Sequence, residues 1–412
     1  MSIHVKMAWR NIWRNPRRTV LTVSAIAFAC LVLIFMLSFQ FGSYETMINA
    51  AVKIQTGHFK IQHRQFQENH NIRKTIAHPD AVAGILDKTP GIEAYTFRSR
   101  AFSIVSSEDR TYGALVTGID PDKESRTSTL PDLIREGEYL SQTDTDKALI
   151  GRLLARNLKV KTGDEVTLLG QGRDGSVAAA VVTIKGIYSS GQDDFDRAGL
   201  HIPLAYFQQV YTMSGQVHSV VAIVQSLDRV TEIKQQVQAR LQKLETGNSL
   251  IVRDWSEIMP GLKQAISMDL VSGLIFWLLL IIVVAFSILN TFLMAIFERT
   301  REFGVMMAIG TAPSRLMKIL LTESMFMTGV GMGAGIVLGI FVTLYFQSRG
   351  IDIGGAGELL NQYGITGRIY PKLSVLSTAI GPAMVFVITF LAALYPAVKV
   401  RRLNPVEAMY FA

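Results

Sequence analysis

Apolar residues are spread unevenly along the chain and collect in four runs, each long enough to cross a bilayer. A spanning helix needs roughly 20 predominantly apolar residues, and the windows 20–41, 270–297, 319–346 and 373–398 reach that length. The third holds one acid, Glu323, and the fourth holds Pro382 and Pro396. Membrane helices tolerate proline where neighbours satisfy the freed backbone groups. The first run continues past Cys30 through Leu37, further than the apolar core of a secretory signal, so it is expected to stay in place as a helix.

Between the first two runs the pattern changes to short alternations. Strands are expected at 54–62, 101–105, 112–117, 165–169, 177–187, 200–202, 218–224 and 250–252, and helices at 79–88, 147–157, 204–211 and 230–244. This mixture predicts an α+β domain with two lobes. Residues 255–268 are amphipathic and are expected to continue into the second span, holding the domain to it rigidly. At the other end, Val5, Ala8, Trp9, Ile12 and Trp13 share a helical face while Lys6, Arg10 and Arg14 lie largely off it. That pattern suits a helix lying in the headgroup layer, ended by Asn15-Pro16.

The fold class expected is a membrane protein with four transmembrane α-helices and a large α+β extracytoplasmic domain. Its parts are an elbow helix at 1–18, spans at 19–42, 269–297, 319–346 and 373–398, and the external domain at 43–268. A cytoplasmic coupling segment at 298–318, an extracytoplasmic loop at 347–372 and a cytoplasmic tail at 399–412 complete it.

Charge orients this arrangement. Residues 1–18 hold five basic and no acidic residues, 297–318 four and two, and 397–412 three and one. These stretches carry +9 of a chain total of +8, leaving the rest near neutral. Short loops rich in Lys and Arg stay in the cytoplasm, so both termini are expected there. The same placement accounts for the basic balance without nucleic acid. The lone Cys30 excludes an internal disulfide.

The chemical motifs are sparse. Gly170 to Gly175 match G-x-G-x-x-G, but an expected strand follows instead of a helix, which makes the stretch a hairpin turn. No G-x-x-x-x-G-K-[ST] loop occurs, so no catalytic, metal or cofactor residues are assigned, and any ATP and Mg are expected in a partner. His58, His63, His70 and His78 match no zinc spacing. Asp193, Asp194 and Asp196 are expected in a solvated loop. Gly331, Gly335 and Gly339 recur every fourth residue, as a close helix-packing face requires. Glu323 lies about one turn inside its span, where it either snorkels to the interface or couples helices.

The most informative stretch follows the second span. Glu298, Arg299, Arg301 and Glu302 pair along a helix surface, Phe303, Met306 and Met307 offer an apolar face with Gly304 in the same segment, and Gly310 ends the helix. Such a short amphipathic helix suits docking into a partner's groove. The sequence ERTREFGVMMAIGTAPSRLMKILLTES at 298–324 resembles the cytoplasmic signature of the FtsX-like permeases, the MacB-type family that includes the lipoprotein-release permeases LolC and LolE. YPAVKVRRLNPVEAM at 395–409 and AWRNIWRNPRRTVLT at 8–22 resemble that family's ending and its elbow helix. The layout is nearest to LolC and LolE.

The resemblance covers the whole chain. It implies a bacterial inner-membrane, multi-pass permease subunit of an ABC transporter with a MacB-type periplasmic domain. It implies two ABC ATPase subunits and a second permease copy, identical or homologous, as partners in the lipid bilayer, with a periplasmic carrier or membrane-fusion protein outside. The chain itself is then expected to be no enzyme. Residues 298–310 would be the coupling helix of a mechanotransmission cycle that drives lipoprotein release, or else efflux of a peptide, macrolide or other toxin. An FtsX-like scaffold regulating a periplasmic enzyme is the third alternative.

Overall fold

The computed structural model describes residues 9–10, 13–66, 71–244, 247–352 and 368–401. The expectations for Val5, Ala8, Ile12 and His70, for most of the loop at 347–372 and for the tail from 402 lie outside the described residues. The chain divides into two compact units, one of residues up to 44, 265–352 and 368–401, the other of residues 45–264.

The first apolar run forms α1 (Pro16–Ala51). Proline is favoured in the first turn because its missing N–H would be unpaired there anyway. A strand expected from residue 54 is instead a π-helical turn, Val52–Thr56. Gly57, at φ +64°, stops it, and its conformation is one that side chains with a Cβ resist. The strand begins two residues later.

The soluble unit is then built from β1 (Phe59–His63), α2 (Pro79–Asp87), β2 (Ile92–Ser106), β3 (Thr111–Ile119), α3 (Pro121–Thr127), β4 (Ile134–Gly137) and β5 (Lys147–Gly151). It continues through α4 (Arg152–Leu158), β6 (Glu165–Gln171), β7 (Val177–Tyr188), α5 (Asp193–Ala198), β8 (Gly199–Pro203) and α6 (Leu204–Val210). It ends with β9 (Ser219–Val224), α7 (Val230–Leu241), β10 (Leu250–Asp254) and α8 (Trp255–Ile258). The helix expected over 147–157 splits at Gly151. Ala148, Leu149 and Ile150 are fully buried between β7 and β8, and a strand buried on both faces shows no alternation for sequence to detect. The acidic run at 193–196 is helix α5, not a loop, and Asp196 is buried, accepting from the Ser190 N–H at 2.9 Å and its hydroxyl at 2.7 Å.

Two cores share the long strand β2. Its first half joins a four-stranded sheet, β10-β1-β9-β2. Phe59, Ile61, Val220 and Val252 there pack on Val82 and Leu86 of α2 and Ile233 and Val237 of α7. The second half of β2 enters a closed ring, β2-β3-β8-β5-β7-β6, since β6 pairs both β7 and β2. Closure removes exposed edges. Val105, Val116, Ile150, Leu168, Val182 and Leu200 fill its interior, with Leu154 of α4, Phe207 of α6 and Tyr211 just after it packed against them. The glycine-rich run at 170–175 is the β6–β7 hairpin, with Gly175 at φ +96°.

Buried polar groups pin the unit. The Arg98 guanidinium donates to both carboxylate oxygens of Glu124 and to the Gln55 carbonyl, joining β2, α3 and the π-turn. Burial pushes the Glu124 carboxyl up, but Arg98 outweighs this and holds it below its ordinary range. His58 Nδ1 accepts from the Val224 N–H at 2.8 Å, and its Nε2 lies 2.9 Å from Asn49 Oδ1. His218 Nδ1 accepts from the Arg100 N–H at 3.0 Å, with Nε2 2.9 Å from the Ile72 carbonyl.

In the membrane unit the remaining runs form α9 (Pro260–Ala308), α10 (Pro313–Arg349) and α11 (Val375–Arg401). All four helices contain a window apolar enough to span a bilayer. Each is longer than its apolar window. The chain is a four-helix membrane protein with a large α+β domain.

Candidate functional site

Three helices meet at a charged cluster below the second span. Arg14, just ahead of α1, forms a bidentate pair with Glu302, at 2.6 and 3.2 Å. Arg18 on α1 reaches Glu298 at 3.3 Å and Glu323 at 3.6 Å. Arg299 donates to Glu302 at 3.4 Å and to Glu323 at 3.2 Å, and its guanidinium lies 5.3 Å from the Phe303 ring. Three guanidinia and three carboxylates thus balance, and each of Arg18, Arg299, Glu302 and Glu323 serves two partners.

The Glu323 side chain is only 5% exposed. An isolated carboxylate so placed would be costly, and two guanidinia relieve that cost. Interfacial snorkelling does not describe it: Glu323 links α10 to α1 and α9. Burial pushes the Glu302 carboxyl up, but hydrogen bonds from Arg14 and Arg299 outweigh this and hold it below its ordinary range. Arg18, Arg299 and Glu323, with Phe292, Met327 and Pro396, line a cavity of about 20 Å³, enough for one water.

The sequence pattern placed this charge along one helix, and the structure distributes it differently. Arg299 and Glu302 do pair at i,i+3, but Glu298 turns to Arg18, and Arg301 is exposed. Nor is 298–310 a separate short helix, because it is the last turns of the 49-residue α9. Phe303 and Met307 are buried with Ile296 and Leu316, and Met306 and Leu320 pack beside them. Gly304 is buried too. The apolar face expected to be free for a partner is therefore turned inward, because Phe303 and Met307 continue the stripe begun by Ile296 and dock on α10. Val305 and Ile309 are the exposed apolar residues here, Ile309 at 81%.

Gly310 has φ +99°. Its N–H donates to the Met307 carbonyl at 3.0 Å, and Thr311 donates to Met306 at 2.9 Å, the pair of bonds that closes a helix on a left-handed residue. Pro313 then opens α10.

The glycine register has a definite partner. A Cβ at Gly335 would sit 2.5 Å from the Ala27 carbonyl and 2.6 Å from Cys30 Cβ, and one at Gly331 would meet Ile26 at 2.8 Å. Gly339 faces Ile34 at 3.2 Å, while Gly329 and Gly333 face open space. The 331–335–339 face thus lets α10 lie close on α1.

One feature escaped the sequence pattern. Tyr44 Oη donates to Asp269 at 2.6 Å, and Gln40 Nε2 donates to Asp269 at 3.1 Å. This ties α1 to α9 at the end of the spans opposite the charged cluster. Gln40 and Tyr44 at i,i+4 beside an acid at the mouth of a span were the available signal.

Residues 19–240 match the MacB-like periplasmic core domain and residues 274–405 the FtsX-like permease C-terminal family. The chain is 24% identical over 317 residues to the lipoprotein-releasing system transmembrane protein LolC of Xylella fastidiosa, spanning 74% of each chain. It is 25% identical over 429 residues to the macrolide export ATP-binding/permease protein MacB of Hyphomonas neptunium, covering 98% of this chain and 60% of that one. Among solved structures, the periplasmic region of MacB from Actinobacillus actinomycetemcomitans aligns with 51% of the chain and 94% of that region, at 13% identity and a TM-score of 0.39.

Proposed function

The chain belongs to the FtsX-like, MacB-type permeases of ABC transporters, and from that premise we propose that it releases lipoproteins from the bacterial inner membrane, driven by a separate ATPase. Both termini and the turn after α9 lie in the cytoplasm in this reading, and the soluble unit lies in the periplasm. Two ATPase subunits supply nucleotide and Mg, and a second permease, identical or homologous, completes the assembly. This chain is the non-enzymatic part.

One observation carries the mechanical half. Helix α9 holds the second span and residues 298–308 in a single hydrogen-bonded rod, and its end is clamped to α1 and α10 by the charged cluster. Force applied at Val305 and Ile309 would therefore move three helices together. Such coupling requires two arrangements that the nucleotide biases differently. The shared guanidinium–carboxylate contacts supply exchangeable partners for them.

The test is Val305→Ser with Ile309→Ser in the chain reconstituted with its ATPase in liposomes. We expect weak ATPase co-purification, or hydrolysis no longer linked to release of an acylated protein. Unchanged binding together with unchanged coupled release would place the force elsewhere. The wider match to MacB favours a second reading, efflux of a small toxin, macrolide or peptide. ATP-driven export of such a compound, with no release of acylated protein from the same liposomes, would select it.

A further inference from the structure

The outside of the strand ring carries a surface that the coupling mechanism does not use. Beyond the bulge at 92–94, the even-numbered residues of β2 lie outside both cores, so Arg98, Arg100, Phe102 and Ile104 follow one another along a single face. Phe102 is 73% exposed. Register sets Leu169 beside Ile104 and Ala179 beside Leu169, and Val177, 75% exposed, continues the strip along β7. Among the described residues nothing covers its apolar part, from Phe102 and Ile104 across Leu169 to Val177, whereas Arg98 is buried beneath Glu124.

Cations stand at one end of this strip. Lys60 of β1 is directly opposite Arg253 of β10. Burial, with Arg100, Arg98 and Arg253 nearby, pushes the Lys60 ammonium down to about 7. Among the described residues only Arg98 of these four has a carboxylate partner. The buried Nε atoms of Arg100 and Arg253 find no acceptor. Four clustered cations that share the single carboxylate of Glu124 are costly in a partly buried place, and so is exposed apolar surface next to them. Arg100 and Phe102 sit two residues apart on the same face, so one ligand can relieve both costs.

We propose that this face binds a single anionic amphiphile drawn from the membrane, its phosphate or carboxylate head among Lys60, Arg100 and Arg253 and its apolar chain along Phe102, Ile104 and Val177. The geometry thus names a cargo class within the permease reading above and rests on that reading. Its test measures binding alone, so failure here leaves ATP-coupled release untouched.

The experiment uses the full chain in zwitterionic phosphatidylcholine nanodiscs, with dodecyl phosphate carrying a diazirine on its chain as the probe. Cross-linked peptides are mapped by mass spectrometry. Labelling should concentrate on the peptides holding residues 100–104 and 177–181. Arg100→Gln and Lys60→Gln should each lower it about tenfold, the equivalent of one charge-assisted contact at 1.4 kcal/mol. Val177→Ser, at a position too exposed to affect folding, should lower it severalfold and keeps the test decisive if the cation variants misfold. Labelling that is equal with a diazirine dodecanol, or unchanged in Val177→Ser, overturns the proposal. So does displacement by inorganic phosphate at the probe's own concentration, which marks a free-anion site. Labelling of the strip by a diazirine phosphatidylcholine of the disc overturns it as well, by marking a face that rests on the bilayer. A benzophenone at residue 177 that captures a second copy of the chain instead of the probe would make the face a protein interface.

Discussion

Two charge clusters, one in each unit, solve the same problem in opposite ways. Arg98 and Glu124 form a closed bidentate pair, both side chains nearly inaccessible, with each ion devoted to the other. The membrane unit spreads six charges over three helices, exposed at one rim and buried at the other. A closed pair has one low-energy arrangement and fixes geometry. A shared network offers several, because Arg18 and Arg299 each have a second carboxylate within reach. The first suits a domain core, and the second suits a joint that moves.

The difference predicts unequal responses to removing one carboxylate. Glu124→Ala leaves Arg98 buried and uncompensated, a change that costs about 3–5 kcal/mol. The urea midpoint of the soluble unit should fall sharply, and an unchanged midpoint would show that water already reaches Arg98. The same unit should weaken in acid. His58 and His218 are pushed down to about 4 and His201 to about 3, in each case chiefly by burial. All three are neutral when folded, and the Nδ1 atoms of His58 and His218 accept backbone N–H bonds that protonation would destroy. The unfolded chain therefore binds more protons, so this stability is complete above about pH 6.5 and is lost as pH falls from there towards 4. Melting curves between pH 7.5 and 4.5 should show a steep decline. His218→Gln should flatten it, and a flat wild-type curve would exclude the buried neutral state.

Glu323→Gln should cost less than Glu124→Ala, about 1.5–3 kcal/mol for the charged hydrogen bonds lost, because Glu298 and Glu302 still neutralise Arg18 and Arg299. Its larger consequence should be functional: ATP hydrolysis continues while release slows. Equal loss of stability in the two variants would erase the distinction between closed pair and shared joint.

Much of this was legible in the sequence, and the exceptions have physical causes. The spans stand out because a run of about 20 apolar residues matches the thickness of a bilayer and exceeds what a soluble core needs from one helix. The glycine register stands out because small residues at every fourth position line one helix face. The inward turn of Phe303 was hidden. The pattern gives an apolar stripe but not its occupant, which proves to be Leu316 of the next helix in the same chain. The Arg18 partner of Glu298 and the Arg14 partner of Glu302 were equally invisible, lying 280 and 288 residues away in sequence. Ring closure depends on β6 returning to β2 across about 60 residues, beyond the range of any local periodicity. Strand β5, buried on both sides, has no alternation to reveal it.

The smallest expected effect gives the sharpest test of the shared joint. Arg14 and Glu302 make the tightest contact in the cluster, at 2.6 Å, and distance alone would rank this pair first. Both side chains are substantially exposed, Arg14 at 66% and Glu302 at 40%. Solvent and salt screen such a pair, and exposed pairs contribute about 0–1 kcal/mol. Glu302 also keeps its hydrogen bond from Arg299 when Arg14 is removed. Arg14→Ala should therefore shift the thermal midpoint of the full chain by no more than a degree or two, and that small shift should vanish in high salt. A loss comparable to that in Glu323→Gln would mean that the rim is as well sealed as the interior. The six charges would then form one rigid block, and the motion assigned to this joint would have to occur at the close α1–α10 glycine contact instead.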